Sequence, residues 1–225
     1  WNYRSASWSD LAMSRKEELS HNLNAIKATI PENVHLIVVT KTFPLSDALI
    51  LSELGVTEFG ENRDQEGALK APQLPSDANW HFQGQIQSNK IPSLIEWADY
   101  IHSLDDLDHA KKFNKRLSSP MKFFIQVSLD NQVGRGGISP EQLPDFIDEI
   151  ERLPMINPVG LMSVAPVDAV PEEAFAKLEG IKAEITRQYP HIKYLSAGMS
   201  SDYKVAIRHG ATHIRVGSSI LGSRA

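Results

Sequence analysis

Short apolar runs alternate along this chain with longer segments of helical spacing, and that alternation constrains the fold more than any other feature. Strand-type runs fall at 34–41, 56–59, 80–82, 100–101, 122–129, 156–162, 192–195 and 212–216. Helix-type segments separate them at 46–54, 61–70, 88–97, 104–117, 140–153, 171–189 and 201–209, and one more, 11–30, precedes the first strand. The run Leu36-Ile37-Val38-Val39 lacks any polar alternation, as expected of a strand buried on both faces of a parallel sheet. Strand–helix alternation implies parallel strands joined by right-handed crossovers. Eight such units with a leading helix predict an α/β fold, a (β/α)8 TIM barrel formed as a single domain by residues 11–225, with residues 1–10 poorly ordered. Ser46-Asp47 and Ser103 read as helix N-caps, and Gly55 and Gly210 as helix ends. An open doubly wound sheet is the competing architecture, because the second and fourth runs are weak. It lacks its usual mark, since Lys41-Thr42-Phe43-Pro44 follows the first strand where a glycine-rich dinucleotide loop would stand.

Composition excludes several classes of function. The chain has no cysteine, so disulfides, thiolate catalysis and cysteine metal sites are out. A net charge of -5 gives no electrostatic reason to expect nucleic acid or an anionic membrane as partner. No apolar run approaches the roughly 20 residues of a membrane span, and the polar N-terminus has no signal-peptide core. The expected setting is the cytoplasm. Aspartate, glutamate and histidine are scattered without metal-ligand spacing, so no metal site is expected. No Gly-x-Ser-x-Gly elbow supports a hydrolase triad. Lys111, Lys112, Lys115 and Arg116 read as a solvated helix face.

In a barrel of this kind the active site lies at the carboxyl ends of the strands. Lys41 falls there on strand one, Glu61 and Asn62 on strand two, His81 on strand three, Gln126 and Ser128 on strand five, and Met162 and Ser163 on strand six. Ser196 to Ser201 follow strand seven, and Arg215 to Ser219 follow strand eight. A lysine at that point can lose its proton and attack a carbonyl, or can simply hold its head in water. The last two loops are rich in glycine and serine and each precedes a helix. They read as ordinary caps or as a phosphate cradle, and their adjacency favours phosphate. Arg215 reads as a buried ion-pair partner of a carboxylate or as a donor to a ligand's ring nitrogen or anion, since an arginine can only donate. His81, between Trp80 and Phe82, reads as a satisfied core group more readily than as a base.

Six short segments then resemble one family in order. They are Val39-Thr40-Lys41-Thr42, Phe59-Gly60-Glu61-Asn62, His81 to Lys90, Gly160-Leu161-Met162, Gly198-Met199-Ser200-Ser201-Asp202 and Arg215-Val216-Gly217-Ser218. The chain resembles the pyridoxal phosphate homeostasis proteins, single-domain relatives of the alanine racemase N-terminal barrel. The resemblance implies pyridoxal 5'-phosphate (PLP) as cofactor, held as a Schiff base by Lys41. It implies that Ser200, Gly217 and Ser218 hold the phosphate, that Arg215 faces the pyridine nitrogen, and that Asn62 and Met162 lie near the ring. Ala197 stands where the family usually has methionine and Ser218 where threonine is common, and both keep the local chemistry. The segment 130–137 departs furthest from the expected form. The implied role is cofactor homeostasis: storing the aldehyde reversibly, buffering it and passing it to PLP-dependent apoenzymes, as a monomer or weak dimer.

Two catalytic readings compete. An amino-acid racemase needs a second acid/base opposite Lys41. In two-domain racemases an added β domain supplies a tyrosine, and the chain's end at Ala225 leads us to expect no such domain here. A Schiff-base lyase or aldolase would use Lys41 directly on a sugar phosphate. A pure interaction scaffold would leave the lysine and the loops unexplained.

Overall fold

The computed structural model describes residues 13–130 and 136–222, so the expectation for residues 1–10 lies outside the described residues. Helix α1 (Arg15–Lys27) opens the described chain. Ser14 accepts from the Glu17 amide, and Glu17 reaches back to the Ser14 amide, a reciprocal cap at the helix start. Leu19, Leu23 and Ile26 recur at helical spacing and are buried. The barrel follows as β1 (His35–Val39), α2 (Leu45–Glu53), β2 (Glu58–Glu61), α3 (Asp64–Lys70), β3 (Asn79–Phe82), α4 (Ile91–Trp97), β4 (Tyr100–Leu104), α5 (Leu107–Arg116) and β5 (Met121–Gln126). It continues through α6 (Leu143–Glu151), β6 (Ile156–Met162), α7 (Pro171–Gln188), β7 (Tyr194–Ser196), α8 (Tyr203–Arg208), β8 (His213–Val216) and α9 (Ser218–Leu221). The strands are parallel and close in sequence order, with His35 to Val38 of β1 paired to His213 to Val216 of β8. This is the (β/α)8 barrel, and the open-sheet alternative falls.

Three local expectations change. Ser103 caps no helix. It lies buried in β4, its hydroxyl bonded to the Gly84 carbonyl, and Asp106 caps α5 by accepting from the His109 amide at 2.9 Å. Ser46-Asp47 opens no helix either, since α2 starts at Leu45 with Pro44 at the cap position. Asp47 instead faces Arg15, 2.6 Å away on α1. Glu61, grouped by pattern with the following helix, ends β2 because its carboxylate has partners inside the protein, described below.

Aromatic and imidazole rings fill much of the barrel interior, beside Ile37 and Val39, which face Gly60 there. His81 of β3 and Phe124 of β5 both approach His213 of β8, which is possible only through the barrel's centre. His35 stacks on His213 with ring centres 4.5 Å apart, His81 on Tyr100 at 4.4 Å, and His102 on Phe124 at 4.2 Å. The aliphatic core lies outside the strands, between sheet and helices, around Phe59, Leu94, Phe113, Phe123 and Ile147.

Candidate functional site

The last turns of β1, β7 and β8 converge on a cavity of about 430 Å³ at the carboxyl end of the barrel. Lys41, Gln83, Met199, Ser200, Arg215, Gly217 and Ser218 are among its lining residues. Four sequence-predicted residues therefore meet Lys41 there: Ser200, Arg215, Gly217 and Ser218. Asn62 and Met162 do not line it. Asn62 is exposed after β2, and Met162 is buried at the end of β6, paired in register with Gln126 and Ser196.

Lys41 is half-buried, and among the described residues no carboxylate is within ion-pairing distance of its Nζ. What is fixed is its backbone. Thr42 is the one non-glycine residue with positive φ among the described residues, at 66°. For a β-branched residue that conformation costs about 1–3 kcal/mol and persists only where neighbours over-determine it. They do so here. The Thr42 amide donates to Glu66 Oε2 at 2.6 Å. On the other side of Lys41, the Thr40 hydroxyl donates to Glu61 Oε1 at 2.6 Å, and Lys70 Nζ donates to both the Thr40 carbonyl, at 2.8 Å, and Glu61 Oε1, at 2.7 Å. Lys70 and Glu61 are both buried. The Lys70–Glu61 pair on α3 and β2, together with Glu66 of α3, thus clamps the chain on either side of Lys41. Burial pushes the Glu61 carboxyl above its usual range despite the bonds from Lys70 and Thr40.

Ser200 and the start of α9 form the anion-binding part. The Ser200 hydroxyl oxygen accepts the Gly217 amide at 3.2 Å and the Ser219 amide at 3.3 Å. These N–H groups stand at the start of the single turn of α9, where they have no acceptor within the helix. A side chain at Gly217 would crowd the Val39 carbonyl, its Cβ only 3.0 Å from that oxygen, so glycine lets backbone amides line the cavity wall.

Arg215 supplies the charge. It is buried, with one Nη donating to the Ser196 hydroxyl at 2.6 Å and the other to the Ser163 carbonyl at 3.0 Å. Among the described residues no carboxylate pairs with it, so the ion-pair reading is not the one the structure gives. Burial lowers its pKa to about 10, which still leaves it protonated at neutral pH. A buried cation without a direct counter-charge, on the wall of a cavity, suits an anionic or acceptor-rich ligand.

Gln83 was not singled out in the sequence for a site role. Its Nε2 is buried without a hydrogen-bond partner, and Gly60 makes room for it, since a Cβ there would lie 2.5 Å from that atom. An orphaned donor on a cavity wall is a place for a ligand acceptor. Its one signal in the sequence is its place within the segment His81 to Lys90 that carries the family resemblance. His81 lies in the barrel interior, fully bonded, as the core reading expected. Residues 131–135 of the divergent segment lie outside the described residues.

The donor set can be tested against a flat, phosphorylated heteroaromatic aldehyde. The Ser200 hydroxyl with the Gly217, Ser218 and Ser219 backbone suits a phosphate. Arg215 and Gln83 suit ring acceptors, and a lysine without an ionic partner suits a carbonyl. The residues present fit the group. Among the described residues no His, Cys, Asp and Glu group could hold a metal ion, and no helix is long and apolar enough to cross a membrane.

Comparison with known proteins shows the family and the fold. The family model for the alanine racemase N-terminal domain matches residues 15–225. A pyridoxal phosphate homeostasis protein of Corynebacterium glutamicum is 39% identical over 88% of this chain and 97% of its own length. One from Mycobacterium leprae is 32% identical over 95% of both chains. The structure of PipY from Synechococcus elongatus with PLP bound superposes with a TM-score of 0.83 at 32% identity, covering 91% of this chain and all of that one. The alanine racemase of C. glutamicum shares the fold at 13% identity, with a TM-score of 0.76, and this chain covers 60% of its length. By family model, sequence and fold alike, the chain belongs to the pyridoxal phosphate homeostasis proteins, within the family of the alanine racemase N-terminal domain.

Proposed function

We propose that this protein binds PLP in the cavity at the carboxyl end of the barrel and serves to keep the cofactor in reserve, with Lys41 as the residue that holds it covalently. The observation that carries this reading is the convergence on one cavity of a lysine and a buried arginine that have no carboxylate partner among the described residues, with a backbone cradle at Gly217 to Ser219. When bound, the group supplies a reversible carbonyl–amine linkage that masks a reactive aldehyde.

Each residue then has one task. Ser200 and the amides of Gly217, Ser218 and Ser219 take the phosphate, with the Ser200 hydroxyl exchanging its present bonds for the ligand's oxygens. Arg215 donates toward the ring nitrogen. Because arginine stays protonated and cannot accept, it keeps that nitrogen unprotonated and weakens the ring as an electron sink. Gln83 Nε2 would donate its unpaired N–H as a hydrogen bond to an acceptor of the ligand. Asn62 and Met162 stand at the margin of the site, beyond the cavity's own lining. The Lys70–Glu61 and Glu66 contacts keep Thr40 and Thr42 in place, so Lys41 is presented in one backbone geometry.

This arrangement favours holding over turnover. Two-base chemistry at an amino acid's α-carbon needs a second acid/base across the cavity from Lys41. Among the described cavity residues no tyrosine, histidine, aspartate or glutamate stands there. In our reading the setting is the cytoplasm, the chain works as a monomer or weak dimer, and PLP-dependent apoenzymes receive the cofactor. Borohydride reduction of PLP-treated protein, followed by peptide mass mapping, tests the covalent assignment. The expected result is a pyridoxyl group on the Lys41 peptide at low, stoichiometric PLP. Label spread over exposed lysines, with Lys41 unmodified, would overturn it.

A further inference from the structure

Among the described residues Arg215 has no carboxylate beside it, yet its Ser196 bond is the first of an unbroken series. The Ser196 hydroxyl lies 2.9 Å from His102 Nδ1, His102 Nε2 lies 2.9 Å from His81 Nδ1, and His81 Nε2 lies 2.6 Å from Glu58 Oε2. Ser196, His102 and His81 are all buried. The series runs through the barrel interior from the cavity end of β8 to the amino end of β2, where Glu58 is partly exposed and lines a second, shallow cavity with His35 and Thr57.

The direction of every bond follows from the two ends. Arginine can only donate, so the Ser196 oxygen accepts from Arg215, and its own proton goes to His102 Nδ1. A neutral His102 must then carry its proton on Nε2 and give it to His81 Nδ1. His81 in turn carries its proton on Nε2 and gives it to the Glu58 carboxylate. The reverse direction fails at both ends. It would leave the Ser196 proton without an acceptor and would set a bare His81 nitrogen 2.6 Å from a carboxylate oxygen. The charge states agree. Burial lowers the pKa of both histidines, His102 strongly, so each is neutral, and the bonds from His81 and Asn79 outweigh burial to keep Glu58 ionised.

We propose that Glu58 is a distant positioning residue for the cofactor site, the counter-charge of Arg215 reached through a one-way hydrogen-bond chain of Ser196, His102 and His81. The chain fixes one protonation pattern in the barrel core. It holds one face of the guanidinium, so that the remaining donors stay aimed at the ligand. Its role toward PLP rests on the function proposed above, but its existence does not.

The experiment separates the two. Long-range ¹⁵N–¹H spectra of the imidazoles, recorded on cofactor-free protein, report which ring nitrogen carries the proton. Both His81 and His102 are expected neutral with the proton on Nε2. A proton on Nδ1 of either ring, or a charged His102 at neutral pH, overturns the chain whatever the protein binds. Glu58→Gln preserves an acceptor for His81 and is expected to leave the tautomers unchanged. Glu58→Leu removes it, and is expected to release the His81 tautomer, shift the absorption band of bound PLP and weaken PLP binding about tenfold, the scale on which lost orienting partners act. Unchanged band and affinity in a folded Glu58→Leu protein would refute the positioning role. Should Glu58→Leu fail to fold, the same comparison is made with Ser196→Ala, rescued by Ser196→Thr, which retains the hydroxyl. Failure of the wild-type protein to bind PLP at all, with the tautomers as expected, would sink the proposed function and leave the chain standing.

Discussion

Replacing Lys70 by methionine should be the most informative single change outside the cavity. The thioether keeps most of the buried volume but leaves Glu61 without its cation. Both side chains are almost fully inaccessible, at 4% and 0%, and breaking such a pair typically costs about 3–5 kcal/mol. A second route bounds the figure. The orphaned carboxyl can escape by taking up a proton, and from an unfolded pKa of about 4.3 that costs roughly 3.7 kcal/mol at pH 7 but only about 1 kcal/mol at pH 5. The Thr40 carbonyl retains the Phe43 amide and is not stranded. The two routes agree, so a loss of about 3–4 kcal/mol is expected at pH 7. The sign with pH is set by Glu61. Its folded pKa rises further in the variant, so its contribution is intact below about pH 4 and is lost as pH climbs. The variant's deficit against wild type should therefore shrink by roughly 2.7 kcal/mol between pH 7 and pH 5. Urea unfolding of both proteins at the two pH values measures it. A deficit below 1 kcal/mol at pH 7, or one that does not narrow on acidification, would refute the buried clamp.

Other outcomes are expected. Gly217→Ala brings a methyl carbon to 3.0 Å from the Val39 carbonyl. The resulting crowding, about 1–2 kcal/mol, should appear as roughly 5- to 30-fold weaker PLP binding in a fluorescence titration. Arg215→Lys keeps the charge but cannot fork between Ser196 and Ser163, so calorimetry should show a folded protein with weaker PLP binding. Arg15 joins α1 to Asp47 of α2 at 2.6 Å and to the Leu221 carbonyl in α9 at 2.9 Å, and Arg15→Ala should cost about 2 kcal/mol in denaturant unfolding. The interior histidines should govern acid lability. Burial, with His35 and His81 nearby, lowers the His213 pKa to about 3, and His81 and His102 are lowered as well. Each stays neutral when folded and takes up a proton when unfolded. Stability should hold above about pH 6.5 and fall below it by up to about 1.4 kcal/mol per pH unit per histidine, measured as proton uptake on unfolding.

Much of the barrel was legible because its strands carry their apolar residues toward the helices. The run at β1 and the run at β6, expected at 156–162 and found there, are of this kind. The interior defeated pattern reading. In β4, Ser103 points a sequence reader toward a helix cap, yet it is buried on the Gly84 carbonyl, and its neighbour His102 is buried in the hydrogen-bond chain. Glu61 looked like a helix start for the same reason, because a charged strand end makes sense only once Lys70, nine residues on, is seen to return to it. The site divides similarly. Lys41 and the loops after β7 and β8 announce themselves by residue type and position. Gln83 does not, because what marks it is an unused donor, and that is a property of packing alone.

The absorption spectrum of the protein with PLP, beside that of Lys41→Ala, tests the central claim most directly. The account expects a yellow band in the parent that Lys41→Ala abolishes while its fold and its weak affinity for inorganic phosphate persist. A parent that stays colourless with PLP, or a variant that keeps the band, would contradict it.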